Sequence, residues 1–261
     1  MQNTIKGLIL DIDGVVWHDK IPIGNLKEIF DHISSMGFKY TFATNNSTRA
    51  KSTYQSHLTE IGIPVTENQI ITSGSLAAET LAKIFPSRGE VFIIGMDGLT
   101  QAMHEAGFFH GNKEPLAVVV GLDENFDYQN LLTASNLIRA GIPFYGTNPD
   151  ITLPTPTGLH PGTGSILAAI EAASSIKPLI LGKPKPAMFQ IALDRMSLKP
   201  THTLVIGDRL ETDIAGGQAA GCKVGLVLSG VTNSSQANSW DPAIDIIAED
   251  LETLVKGLAN G

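Results

Sequence analysis

The chain has 261 residues, 43% of them apolar, which is enough for one large domain or two modest ones and marks it as globular, not disordered. Its formal net charge of −8 argues against a nucleic-acid binder, which needs a basic face or tail, although an acidic protein can still hold a local cationic pocket for an anion. A lone cysteine, Cys222, excludes an intramolecular disulfide and a cysteine-built zinc cluster, and suits a reducing compartment.

The opening "MQNTIKGLILDIDG" has a short apolar stretch interrupted by acids and does not read as a signal peptide. No apolar run approaches the roughly 18 residues of a membrane span. The expectation is a soluble, cytoplasmic protein with neither membrane nor nucleic acid as a partner.

In chain order, strands are expected at Gly7 to Leu10, Lys39 to Ala43, Val91 to Ile94, Ala117 to Val120, Phe144 to Gly146, Leu179 to Leu181, Thr203 to Ile206, Lys223 to Val227 and Ala243 to Ile247. Between them, "IGNLKEIFDHISSMG", "YQNLLTASNLIRAG", "TGSILAAIEAAS" and "KPAMFQIALDRM" carry apolar residues at helical spacing, and the first two stop at glycine. Such alternation gives an α/β fold with parallel sheets and helices on their faces. The strands are too many for one sheet, and the polar motifs cluster before Thr48 and after Gly182. Two domains follow, with the middle of the chain inserted between the first and last parts.

Ligands of open parallel sheets sit at the carboxyl ends of the strands. Asp11 and Asp13 stand there, pointing to one side if the extended backbone continues, before Gly14 turns the chain. Two such carboxylates repel unless a cation lies between them, and a divalent ion with oxygen ligands, Mg²⁺, is the economical solution. Read alone, Asp-x-Asp-Gly is equally a plain strand-to-turn exit.

"FATNNST" ends a second strand with Thr44, Asn45, Asn46 and Ser47, donors suited to a phosphate at a helix start but also to an ordinary helix cap. "LGKPKPAMF" puts Lys183 after a strand, where it can neutralise a phosphate or carboxylate; Lys185 reads as a solvated lysine. "TLVIGDRLETDIAGGQAAG" supplies Asp208 at a strand end and Asp213 as the next helix starts. Helix capping would account for either acid alone. Four such segments at four strand ends are hard to assign to four coincidences.

In this order, Asp-x-Asp-Gly, Thr-Asn-Asn, Gly-Lys-Pro and Gly-Asp-x-x-x-x-Asp resemble the four motifs of the haloacid dehalogenase superfamily of phosphohydrolases. "VVVGLDENFDYQNL", "TNPD" and "PGTGSILAAIEAA" extend the resemblance to the NagD-like, 4-nitrophenylphosphatase-like branch, subfamily IIA. The dehalogenase branch lacks a second aspartate at the place of Asp13, so its presence points to phosphoryl transfer.

The resemblance implies a Rossmann-like core over residues 1–78 and 180–261 and an inserted α/β cap of the C2a type over 79–179. It implies a Mg²⁺-dependent phosphatase of small phosphorylated metabolites, with Asp11 as nucleophile and Asp13 as acid/base. The Asp11 carboxylate, the Asp13 carbonyl and Asp208 would hold the metal, Asp213 would support it, and Thr44, Asn45, Asn46 and Lys183 would bind phosphate. Asn148, Asp150 and His160, around "TNPDITLPTPTGLH", are the candidate cap contacts, and such caps also allow a homodimer. A phosphotransferase or phosphomutase using the same aspartyl chemistry, and a non-enzymatic sensor of a phosphometabolite, are the alternatives. Trp17 reads either as a stacking surface for an organic leaving group or as a packed residue.

Overall fold

Short runs of apolar residues, buried on both faces, make the strands that carry this fold. A computed structural model describes residues 5–19, 21–155 and 157–259. The chain divides into two compact units, one built from residues up to Thr44, Tyr54–Ile71 and Lys183 onward, the other from Asn45–Thr53 and Thr72–Gly182.

The first unit holds a six-stranded sheet in the order Ile246–Ala248, Lys223–Val227, Thr203–Gly207, Gly7–Leu10, Lys39–Thr44 and Ile70–Thr72. The pairings from Ile246–Ala248 through Lys39–Thr44 are parallel. Leu10 lies opposite Ile206 on one side and Phe42 on the other, so the residues after all three leave the sheet at one edge.

Helix Leu26–Ser35 begins under an Asn25 cap and buries Leu26, Ile29, Phe30 and Ile33, the spacing of one helical face. Helix Leu251–Ala259 buries Leu251, Leu254, Val255 and Leu258 in the same core, with Leu8, Leu10 and Phe42 from the sheet. Each such buried side chain contributes about 1.5–3 kcal/mol.

The second unit has a five-stranded sheet, Leu179–Ile180, Phe144–Gly146, Val118–Val120, Gly89–Ile94 and Phe108–His110, paired in parallel throughout. Along one strand Val91 and Ile93 pack with Leu81, Leu99 and Met103, while Phe92 and Ile94 pack with Ile138, Leu167 and Ile170. That alternation by two is what a sheet covered by helices on both faces requires.

The second unit starts earlier than the expected boundary between residues 78 and 79. Helix Ser73–Ile84 packs along helix Asp97–Glu105, and segment 45–53 is tied to the same region by Gly98 N–H donating to the Thr48 carbonyl at 3.1 Å. Three further departures are local. The last strand is Ile246–Ala248, not Ala243 to Ile247, because the Asp245 side chain accepts from Val224 N–H at 2.9 Å where ladder pairing was expected. Thr152–Thr155 and Gly158–Pro161 form an antiparallel hairpin where a proline-rich loop was expected. The helix after "TNNS" starts only at Lys51. No helix among the described residues is long and apolar enough to cross a membrane.

Candidate active site

Parallel register decides which side chains meet in the first unit. Asp11 N–H donates to the Ile206 carbonyl at 2.9 Å, which keeps Asp11 level with Gly207 and places Asp208 one residue beyond. After Gly207 the chain makes a wide π-helical turn, Leu210–Ile214, before helix Ala215–Ala219, and that turn swings Asp213 back.

Lys183 closes the group. Its ammonium donates to Asp11 Oδ1 at 2.7 Å, to Asp213 Oδ1 at 2.5 Å and to the Ala43 carbonyl at 2.8 Å, and the side chain is only 3% exposed. Burial works against its charge, but Asp11 and Asp213 outweigh burial and raise its pKa above the ordinary lysine value. Lys183 is therefore a permanent cation.

Three carboxylates surround this one ammonium. Asp11, Asp208 and Asp213 each present an oxygen within 4.8 Å of the others. With all three ionised, the cluster carries two uncompensated negative charges in a poorly solvated place. Burial first, then the neighbouring acids Asp213 and Asp208, lift Asp11 well above the usual carboxylate range despite Lys183. Burial and Asp213 push Asp208 up to about 6, against the Val231 N–H that holds it down. Asp208 Oδ1 is buried without a hydrogen-bond partner. A partnerless buried oxygen, hard oxygen donors and a charge deficit of two are what a divalent cation fits.

The acid cluster has a measurable cost. Asp208 moves from an ordinary value near 3.9 to about 6, so below that window the folded and unfolded chains are both protonated there. Between about pH 4 and 6 the unfolded chain releases this proton first, so metal-free stability falls as pH rises, by up to about 3 kcal/mol. Asp208→Asn, whose amide replaces the partnerless oxygen with a donor, is expected to raise the metal-free melting midpoint at pH 8 by roughly 5 °C or more and hardly at pH 4. Calorimetry in EDTA at the two pH values measures this; equal midpoints for both proteins at pH 8 would count against the charge argument.

Glycines let the backbone approach these acids. Gly14 has φ +83°, and a Cβ there would lie 2.6 Å from Asp208 Oδ2; at Gly230 it would lie 2.0 Å from the same atom. Loop 229–232 is a part of the site that the sequence reading missed. Val231 N–H donates to Asp208 Oδ2 at 2.8 Å, Thr232 N–H to the Asp208 carbonyl at 3.2 Å, and Ser229 Oγ to the Gly14 carbonyl at 2.7 Å. The signal was Ser-Gly two residues past a buried strand.

Asp13 is exposed, beyond the buried cluster, and its Oδ1 accepts from Trp17 Nε1 at 2.9 Å. Thr44 is buried at the end of its strand. Asn45, Asn46, Asn148 and Asp150 belong to the second unit. There Asn148 is 4% exposed and its amide donates to the Asn45 carbonyl at 2.7 Å and to Thr163 Oγ1 at 3.2 Å. The Asn45 amide donates to Asp150 Oδ2 at 3.2 Å, and Ser73 Oγ donates to the Asn45 carbonyl at 2.5 Å. Asn46 Oδ1 accepts from Thr48 N–H at 2.9 Å, so these amides shape a loop and do not cap the helix. His160 is exposed on the hairpin, 2.9 Å from Thr157 Oγ1.

Comparison with known proteins gives consistent matches. Residues 8–109 match the family described as haloacid dehalogenase-like hydrolase, and residues 180–254 a second profile described as HAD-hydrolase-like. A 5'-nucleotidase, YutF, of Bacillus subtilis is 33% identical over 229 residues, 88% of this chain and 89% of that one. The crystal structure of a 4-nitrophenylphosphatase from Thermotoga maritima superposes with a TM-score of 0.93 at 31% identity, covering 98% of both chains. A glycerol phosphate phosphatase from Mycobacterium tuberculosis, solved in complex with magnesium, gives a TM-score of 0.88 at 34% identity over 96% of this chain and 76% of that one.

Proposed function

From the premise that the chain belongs to the haloacid dehalogenase-like hydrolases, in their NagD-like, 4-nitrophenylphosphatase-like branch, and is a phosphoric monoester hydrolase, we propose that it is a Mg²⁺-dependent phosphatase of small phosphorylated metabolites working through an aspartyl-phosphate. The observation that carries this reading is the largely buried set of Asp11, Asp208 and Asp213 around the single ammonium of Lys183.

In this reading Asp11 attacks phosphorus, the phosphorus–oxygen ester bond breaks, and Asp13 delivers its proton to the departing alcohol. Asp13 then takes a proton from the water that attacks the aspartyl-phosphate, phosphate leaves, and Asp11 is restored. The Asp11 and Asp208 carboxylates and the Asp13 carbonyl would hold Mg²⁺, with Asp213 in support. When bound, the ion supplies the charge that lets an anionic carboxylate meet an anionic phosphate. Lys183 and Thr44 would bind phosphate oxygens, helped by Asn45 and Asn46.

Residues 72–182 are proposed as the cap, with the exposed His160 and the loop acid Asp150 as contacts for the leaving group and Asn148 holding Asn45. The named activities of the relatives, a nucleotide phosphatase, an aryl phosphatase and a glycerol phosphate phosphatase, support a small ester as substrate and differ in its organic part. A cytoplasmic location, a metabolite as sole partner and a homodimer through the cap complete the proposal.

The test is phosphate release from a panel of sugar, nucleoside, glycerol and aryl phosphates, with Mg²⁺ and with EDTA. Release that needs Mg²⁺ is expected, and the best ester names the substrate class. Folded protein that transfers the phosphoryl group only to a second metabolite would replace this reading with a phosphotransferase. Tight binding of an ester without turnover would replace it with a sensor.

A further inference from the structure

Three neighbouring strands end where the acids gather, and one loop ties those ends together. In the first sheet Lys223–Val227 pairs with Thr203–Gly207, which pairs with Gly7–Leu10. Just past Lys223–Val227, Leu228 N–H still donates outward, to the Ala248 carbonyl at 2.9 Å. The next residue reaches the other way. Ser229 Oγ donates to the Gly14 carbonyl at 2.7 Å, in the turn that follows a strand two places, about 10 Å, across the sheet. Asp208 stands at the end of the strand between, and the same loop grips it. Val231 N–H donates to its Oδ2 at 2.8 Å and Thr232 N–H to its carbonyl at 3.2 Å.

Gly14, at the far end of this bridge, joins two peptide units. The first carries the Asp13 carbonyl and the Gly14 N–H, which point opposite ways in one rigid plane; the second carries the Gly14 carbonyl. Gly14 N–H donates to the Trp17 carbonyl at 2.8 Å, and Trp17 is fixed in turn, 1% exposed with its ring parallel to that of Tyr54. Those contacts shape the turn from within. Ser229 Oγ ties the turn to the loop that holds Asp208, across a glycine whose φ of +83° few other residues would tolerate.

We infer that Ser229 is a positioning residue for the metal site: by tying the Gly14 carbonyl to the loop that grips Asp208, its hydroxyl sets the spacing between the Asp13 carbonyl and the Asp208 carboxylate. The inference rests on the reading in which those two groups hold Mg²⁺. Hydrogen bonds that orient metal ligands from behind typically carry about 10- to 100-fold in affinity. Mg²⁺ demands short bonds in near-ideal octahedral geometry, whereas Ca²⁺ tolerates longer bonds and irregular geometry. A lost tie should therefore weaken Mg²⁺ more than Ca²⁺.

Titration calorimetry with Mg²⁺ and with Ca²⁺, in the absence of any ester, separates this role from a merely structural one. For Ser229→Ala the Mg²⁺ dissociation constant is expected to rise about 10-fold or more and that of Ca²⁺ less than about 3-fold. Ser229→Thr keeps the hydroxyl and should bind Mg²⁺ within about 3-fold of the native protein.

If alanine disturbs the loop, as a lower melting midpoint in EDTA would show, Ser229→Thr and Ser229→Val carry the comparison. They share a shape and differ by the hydroxyl, so only the valine variant should lose Mg²⁺ affinity. Unchanged Mg²⁺ affinity in Ser229→Ala, equal losses for the two ions, or equal Mg²⁺ losses in the threonine and valine variants would each overturn the inference alone. A native protein that binds no Mg²⁺ would overturn the metal reading itself, and the inference with it.

Discussion

Asp11→Asn is expected to release phosphate at least about 10³-fold more slowly than the native protein, with the fold intact. A carboxamide has the shape of a carboxylate and can still accept from Lys183, whose ammonium lies 2.7 Å from Asp11 Oδ1. It is not a nucleophile toward phosphorus, and a covalent route cannot start without one. The substitution also takes one negative charge from a cluster in which burial already lifts Asp11 well above the usual carboxylate range. Metal-free stability should therefore hold or rise while activity disappears. Single-turnover phosphate release beside a melting curve reads both quantities. A variant keeping more than a tenth of the native rate would end the aspartyl-phosphate mechanism, whatever its stability.

Lys183→Met has the largest expected effect on stability. The methionine matches the lysine stem but leaves Asp11 and Asp213, now bonded at 2.7 and 2.5 Å, without their shared cation. Removing one partner from a buried ion pair costs about 3–5 kcal/mol, because the charge left behind is neither solvated nor paired. Protonation of Asp11, which burial already lifts well above the usual carboxylate range, relieves part of that charge, so the loss should be largest at pH 8 and smaller at pH 5. Urea unfolding in EDTA at both pH values decides it. A loss below about 1 kcal/mol at pH 8, or the same loss at both, would show that Lys183 matters to the cluster less than its geometry implies.

Where a strand is buried on both faces, composition alone announces it. Gly7–Leu10, Phe144–Gly146 and Lys223–Val227 lie where their apolar runs placed them, because burial on both faces confines a polar residue such as Lys223 to the strand end. Trp17–His18 with Ile21–Pro22, and the hairpin of Thr152–Thr155 with Gly158–Pro161, carried no such mark. Two- and four-residue strands rich in proline and exposed side chains look like loops until their partners are known.

The site divides along the same line. Asp11, Lys183, Asp208 and Asp213 were legible because four short motifs follow strands in one order, where any one of them alone had an ordinary explanation. Their second partners were not, since the Ala43 carbonyl and the Val231 N–H are backbone groups that every residue owns. Trp17 was ambiguous, because an aromatic side chain beside a catalytic motif packs or stacks with equal ease until its burial is seen.

The strand order of the first sheet also bears on how the chain comes to be folded. Gly7–Leu10 is made early, yet one of its two neighbours is Thr203–Gly207, close to 200 residues downstream. On a ribosome that side of the strand therefore waits unpaired until most of the chain has emerged, and Asp11 at its tip acquires Asp208 and Asp213 only then. Residues 72–182, by contrast, contain every strand of the second sheet and can pair it without that delay. The acid cluster is thus tied to the most non-local strand pairing among the described residues, and a truncated chain that ends before Thr203 has no acid cluster to assemble.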